Sequence, residues 1–512
     1  MNSSKYIQEL IGRKRENNFP ELTGPVIRSL EEAVESCLKY YHEHQVSPHV
    51  LDVRTRLGAQ MESFHKKAGT YSDHKIKKSI EDLSNPETLV VEVAHQPNIF
   101  PYSGFLKKIV LGHVIADKIR ERAEFPVVEL FGIVDQDFAN PKWFRNTYFP
   151  DINAKDGLLV ISAPVSRKSM DAMYTIEKPS IELVNKWRSA LETWLINNAR
   201  ILNRLSRDAH GEIQLDRDKM SILRSRLKKL FELMDECAKT SYTLTEFNSF
   251  FISKLVNSIW NYPMVFYEYH ATQQYFEDDY EFLIRNFEKY NQQFRLYYNN
   301  IVSEGISLNF KEPEKNCAPF WFHCDCGAKV NVKVRYNQTK GAILSKQECP
   351  KCKKEPAVID KLEDNMNNIS PRAGSRPIIV SRGIQPSIFV SGLGASGFEL
   401  ISRGVANDLN INLPPYAIWH VKDKYTGIAQ AVADLTNRKT KKDSKTEVKN
   451  EKKELAVLNR CENALEVMPS IIDYLINFGF EETRNLWTNH LLKEGDLSAS
   501  LNFKTEFSEV VL

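Results

Sequence analysis

Four cysteines fall in two close pairs, Cys324 with Cys326 and Cys349 with Cys352, with 22 residues between the pairs. Thiolates at that spacing can close a tetrahedral zinc site, and the small-residue turn at Cys326-Gly327 lets backbone amides point at the sulfurs. The second pair, CPKC, has the usual two-residue gap, whereas CDC is one residue short, so His323 or Cys317 is an alternative for one ligand. Four protein ligands leave no open coordination position, so the predicted zinc is structural and reaction chemistry must be sought elsewhere. Between the pairs, Val330, Val332 and Val334 alternate with Asn331, Lys333 and Arg335, the period of a half-exposed strand, and the stretch reads as a zinc ribbon. Its basic residues Lys329, Lys333, Arg335, Lys340 and Lys346 are either solvated or touch RNA.

Three other segments carry chemistry-bearing side chains. In HQPNIFPYSG, His95 can donate to a phosphate or carboxylate, Gln96 can hold an amide or hydroxyl, and free amides near Gly104 and Phe105 add positive potential. Lys107 and Lys108 lie on the following turn. In DQDF, Asp135 and Asp137 repel each other unless they share a cation, an ammonium or a proton; the alternative is a helix cap beside an exposed acid. Gly392, Gly394 and Gly397 satisfy G-x-G-x-x-G, but no acidic residue closes a strand about 20 residues on, which disfavours a nicotinamide cofactor. A glycine turn opening onto a helix still suits phosphate or carboxylate, with Glu399 as a polar orienter.

These segments need a scaffold that brings them together. LVVEVA at 89–94, the helical pattern FLKKIVLGHVIADKIRERAEF and PVVELFGIV at 126–134 form a βαβ unit. MVFYEY, RPIIV and SIFVSG read as further strand candidates, with FELISRGVANDL as a helix and LPPYAIW as an apolar segment after it. The predicted fold class is α/β: a Rossmann-like core with helical insertions, an inserted zinc ribbon and a helical C-terminal region. The corresponding segments are an N-terminal helical region 1–84, core halves at 85–178 and 363–425, a helical insertion with one core strand at 179–300, the ribbon at 301–362 and the helical region 426–512. The stretch 437–454, rich in alternating charge and without an aromatic residue, reads as a solvated helix or linker. The aromatic-rich helix after Tyr275 reads as packing.

Hydrophobic residues at 42% and charged residues at 26% exclude wholesale disorder and a fibrous repeat. A net charge of +3 is too small for the whole molecule to track a phosphate backbone. No run of about 18 apolar residues exists to span a membrane, and the start lacks an export signal, so the expected location is the cytoplasm, where thiols stay reduced.

Taken together, the segments resemble the bacillithiol biosynthesis cysteine-adding enzymes. HQPNIFPYSGFLKK matches that family's motif at His95, Gln96, Pro97, Phe100, Gly104 and Lys107, and VDQDF matches at Asp135, Asp137 and Phe138. SPRAGSRPIIV supplies Ser370, Pro371, Arg376 and Pro377, and SGLGASGFEL supplies the Gly-rich segment with a Glu, in collinear order over most of the chain. The resemblance implies a ligase that joins cysteine to glucosaminyl-malate through an amide bond, on a Rossmann-like core with a coiled-coil domain. His95, Asp135 and Asp137 would be catalytic. Gln96, Gly104, Lys107, Arg376, the three loop glycines and Glu399 would bind substrate or a nucleotide such as ATP that activates the carboxyl. The partners so implied are small molecules, cysteine and an amine acceptor; a non-catalytic, RNA-linked protein is the alternative, no membrane is involved, and homodimer formation is left open.

Overall fold

The computed structural model describes residues 1–210, 214–337, 341–443 and 451–505. Lys340 and residues 444–450 of the charged stretch lie outside the described residues. The chain is a mixed α/β protein centred on a five-stranded parallel sheet: β1 (Leu89–His95), β2 (Val127–Ile133), β3 (Val265–Glu268), β4 (Ile388–Ser391) and β5 (Tyr416–Ile418). Their order across the sheet is β5-β4-β1-β2-β3, every pair parallel.

All seven residues of β2 are buried, as expected where helices or sheets cover both faces of a parallel strand. Alternate side chains supply two separate cores: Val91 and Val93 on one face, Val90, Val128 and Leu130 on the other. The first face is covered by α1 (Ser103–Arg120), through Leu106, Ile109 and Val110. The second is covered by α2 (Arg376–Gly383) and α3 (Ser396–Asp408), through Ile378, Ile379, Leu400 and Val405. The helix joining β1 to β2 and the helix joining β4 to β5 therefore pack on opposite faces, and the winding direction reverses between β1 and β4.

RPIIV is not a strand: Arg376–Gly383 is helical, with its proline in the first turn. Proline's fixed φ suits that position and its missing N–H costs nothing there, while the β-branched residues that suggested a strand are buried beneath the sheet instead. The neighbouring sheet position is taken by β4.

A second, antiparallel sheet contains the cysteine segment. Its order is Ile369–Pro371, Cys317–His323, Lys329–Asn337, Gly341–Lys346, Ala357–Ile359. Ile369 pairs with Phe322, so this sheet continues beyond residue 362. Its Phe320, Phe322, Val330, Val332 and Val334 join the same apolar cluster as Val128 and Leu130, which docks it against the parallel sheet.

The C-terminal region holds helices Ile428–Asp443, Glu451–Glu466, Ile471–Asn477 and Phe480–Glu494, and adds a strand, Leu501–Lys504, parallel to Asp423–Thr426. Among the described residues no helix is long and apolar enough to cross a membrane.

Candidate functional site

The carboxyl ends of β1 and β2 meet at one rim. His95 is the last residue of β1, and its carbonyl accepts from the Val134 amide at 2.9 Å, one residue before Asp135. The loop beyond it is tied down from three sides. Asn248 Nδ2 donates to Pro97 O at 2.8 Å, Thr147 Oγ1 donates to Phe100 O at 3.2 Å, and Ser470 Oγ donates to the same carbonyl at 3.0 Å. Phe100 adopts a left-handed φ of 37°, a strained conformation for a side chain of that size, and is held there by Trp187 and Phe251 packed against its ring.

His95 Nδ1 lies 2.9 Å from Gln96 O, a pure acceptor, so Nδ1 carries the proton and Nε2 of the neutral ring is an acceptor. Burial, helped by the Lys108 charge, holds the imidazole down to about 3. The geometry therefore gives His95 an accepting role, where the sequence suggested a donor to anions.

Asp137 joins three segments. Gln96 Nε2 donates to its Oδ2 at 2.7 Å and Arg376, from the first turn of α2, donates to its Oδ1 at 2.5 Å. Gln96 is fixed in turn by Trp143 Nε1, which donates to its Oε1 at 2.8 Å. Burial pushes the Asp137 carboxyl up, but the Arg376 and Lys329 charges outweigh it and leave it lowered. Lys329, the buried first residue of its strand in the second sheet, donates to Gln136 O at 2.5 Å and lies over the Phe138 and Trp321 rings at 5.0 and 5.6 Å. Burial pulls its ammonium down to about 7, against the attraction of Asp137.

Asp135 and Asp137 do not share a ligand. Both lie in the turn past the end of β2, and Asp135, fully buried, turns to the end of β3, where it accepts from the His270 amide at 3.0 Å and from His270 Nδ1. Tyr174 stacks on the His270 ring at 4.5 Å and 2° between planes. Glu268, the last residue of β3, completes a set in which one ligand atom each from Asp135, Glu268 and His270 lies within 4.8 Å of the others. Glu268 and His270 were missed from the sequence. The available signal was two titratable residues closing the YEYH segment, at the same sheet edge as His95 and Asp135.

The glycine segment borders this rim through Lys108. A Cβ on Gly392 would lie 2.7 Å from Lys108 Cε, so a larger residue there would push the lysine tip aside. Gly397 packs on Ser3 and Leu308, whereas a Cβ at Gly394 would meet nothing within 4 Å. Glu399 accepts from the Ser391 hydroxyl, and burial raises its carboxyl to about 7, opposed by Lys108. Lys108 is itself pulled down to about 8 by burial. No side chain caps the start of α3.

Lys107 is not brought to this group. It donates to Val421 O at 2.5 Å and Asp423 Oδ1 at 2.7 Å, in a buried pair that Tyr474 completes at 2.5 Å from the other carboxylate oxygen. Gly104 packs on the Tyr102 ring, 2.6 Å from where a Cβ would sit. Two loop side chains have no hydrogen-bond partner at all: the amides of Asn98 and Gln136, each 1% exposed. Unpaired buried amides are costly, so a polar partner at either side chain would be stabilising.

Across the second sheet, Cys324 and Cys352 sulfurs are 3.6 Å apart, as are Cys326 and Cys349, and all four lie within 4.8 Å of one another. A zinc tetrahedron with Zn–S near 2.3 Å has S–S edges of about 3.8 Å, so the thiolates are compatible with a zinc site. Gly327, at φ 88°, makes the tight turn that lets CDC close with one residue fewer. His323 is engaged elsewhere, 3.0 Å from Tyr174 Oη and 2.7 Å from Ser370 Oγ, and Cys317 lies at the far end of its strand, opposite Lys333.

The site thus combines an accepting imidazole, a guanidinium locked to a carboxylate, an ammonium beside a glycine turn and a separate carboxylate-imidazole set. Such groups can orient an amine and hold an anion at one sheet edge. Comparison with known protein families and with curated proteins finds no match for the chain.

Proposed function

We propose that the chain is an amide-forming ligase of the cysteine-adding type, joining the carboxyl of cysteine to an amine acceptor on a Rossmann-like core, with a zinc ribbon as a structural module. The observation that carries this reading is the Gln96–Asp137–Arg376 chain, which unites three of the segments on which the resemblance rests. The strand order β5-β4-β1-β2-β3 supports the core assignment, because it is the doubly wound order whose ligand crevice opens where the winding reverses, between β1 and β4.

In this reading Lys108 and the glycine turn ahead of α3 hold phosphate oxygens of a nucleotide that activates the carboxyl. Asp137 fixes the Arg376 guanidinium so that it meets the substrate carboxyl in one orientation, and His95 Nε2 accepts a hydrogen bond from the attacking amine. The amine nitrogen forms the new C–N bond, the activating phosphoryl or nucleotidyl group leaves with the C–O electrons, and the amine's proton passes to solvent or a neighbouring base. The Cys324, Cys326, Cys349 and Cys352 thiolates would hold zinc outside this chemistry.

Incubating the protein with cysteine, ATP and candidate amines, glucosaminyl-malate among them, and reading products by mass spectrometry tests the proposal. A cysteinyl amide formed by the wild type and lost in Arg376→Ala supports it; no product from any amine, by folded protein, overturns it. RNA contact through the ribbon finds less support, since Lys329 is buried and Lys333 is paired with Glu314.

A further inference from the structure

Beside the ligase residues, the ends of β2 and β3 hold a group that the amide chemistry leaves unused. We propose that Asp135, Glu268 and His270 bind a divalent transition-metal cation through two carboxylates and one imidazole. Their ligand atoms lie within 4.8 Å of one another, near enough for one ion to reach all three.

A second observation points to the ligand. Glu268 is 5% exposed, yet its Oε1 has no hydrogen-bond partner. Its other oxygen is satisfied by Gln60 Nε2 at 3.1 Å. A buried carboxylate oxygen left without a donor is costly, and a cation beside it removes that cost. Asp135 Oδ1 accepts from the His270 amide at 3.0 Å, which leaves Oδ2 facing the other members of the set. Oδ2 meets His270 Nδ1 directly, so these two ligand atoms already face each other and an ion would enter by parting them.

The supports around the three ligands are those of a metal centre. Gln60 orients one carboxylate, a backbone amide orients the other, and the parallel ring of Tyr174 at 4.5 Å fixes the imidazole plane. The His270 side chain, 32% exposed, leaves a way in. A mixed oxygen and nitrogen donor set suits manganese-class or zinc-class ions better than calcium, which takes oxygen alone. The other carboxylate-imidazole group, His113 with Asp117 and Glu129, is different: both Glu129 oxygens are already taken, by His113 at 3.1 Å and by Arg120 at 2.7 Å.

The inference does not depend on the ligase reading, since it concerns ion binding alone. The test is a titration of the full chain, with zinc on its cysteines, against Mn²⁺, followed by the loss of the free-ion EPR signal; Mn²⁺ prefers oxygen and nitrogen donors and avoids the thiolates. One ion should bind per chain, with affinity falling at least about tenfold in Glu268→Gln and His270→Gln and about tenfold in Gln60→Leu, which removes the orienting contact together with a 3.3 Å bond from the Glu268 amide. Circular dichroism and retained zinc establish that each variant is folded. Asp117→Asn should leave binding unchanged. Undiminished affinity in folded Glu268→Gln and His270→Gln, loss of binding in Asp117→Asn, or no wild-type binding below about 1 mM would overturn the assignment.

Discussion

The cysteine cluster and the rim around Asp137 are both convergences of polar side chains, but they are assembled over very different distances along the chain. Cys324 and Cys352 are 28 residues apart, on turns of one antiparallel sheet; Asp137 and Arg376 are 239 apart, on a loop and a helix that meet only because the parallel sheet places them together. The cluster is a local device that a metal can close by itself. The rim is a product of the whole fold, and its integrity depends on packing far from it.

Substitutions should separate the two. Cys349→Ser is expected to have the largest effect, taking zinc content from about one per chain to near zero and opening the second sheet to protease, as read by elemental analysis and limited proteolysis. The parallel sheet should keep its protection from hydrogen exchange; collapse of both sheets together would erase the contrast. Next comes Lys107→Met, which strands Asp423 in a buried site and should lower unfolding free energy by about 3–5 kcal/mol in denaturant melts without touching zinc content.

Arg376→Lys tests the rim alone. Replacing the fork with a point charge should reduce the rate of the proposed amide formation on the order of 100-fold while the denaturation midpoint moves little, a loss of orientation and not of fold. The smallest effect concerns pH. Burial alone would lower His270, but in the protein stripped of divalent cations the charge and hydrogen bond of Asp135, with Glu268 nearby, raise it to about 9. A pKa raised by folding means that its stabilisation is complete below the unfolded value near 6.5 and disappears as pH climbs through about 9. The stability difference between wild type and His270→Gln should therefore be greatest below pH about 6.5 and shrink toward pH 9; a difference that grows with pH would contradict the pairing.

What the sequence disclosed follows the same division. The cysteine spacing and the valine alternation at 330–334 were readable because their partners are close in the chain. Strands β1, β2, β3 and β4 were readable as apolar, β-branched runs. RPIIV misled because residue composition is a weak prior that burial under a sheet can satisfy in either form, and the proline in the first turn was the overlooked sign. Asp135 and Asp137 were recognisable as chemically loaded, but which partner each would take depends on β3 and α2, more than a hundred residues away. Glu268 and His270 became visible only with the strand order, and Lys108, not Lys107, reaches Gly392 because neighbouring positions on a helix face different sides.

The loop after His95 is moored to the far end of the chain: Ser103 donates its amide to Pro469 at 3.1 Å and Ile471 donates its amide to Pro101 at 2.8 Å. A loop anchored so firmly is no door. On the opposite side the cysteine-bearing sheet leans on Gln136 through the buried Lys329, and removing the last forty-odd residues would slacken the rim around Asp137 without deleting a single residue of it.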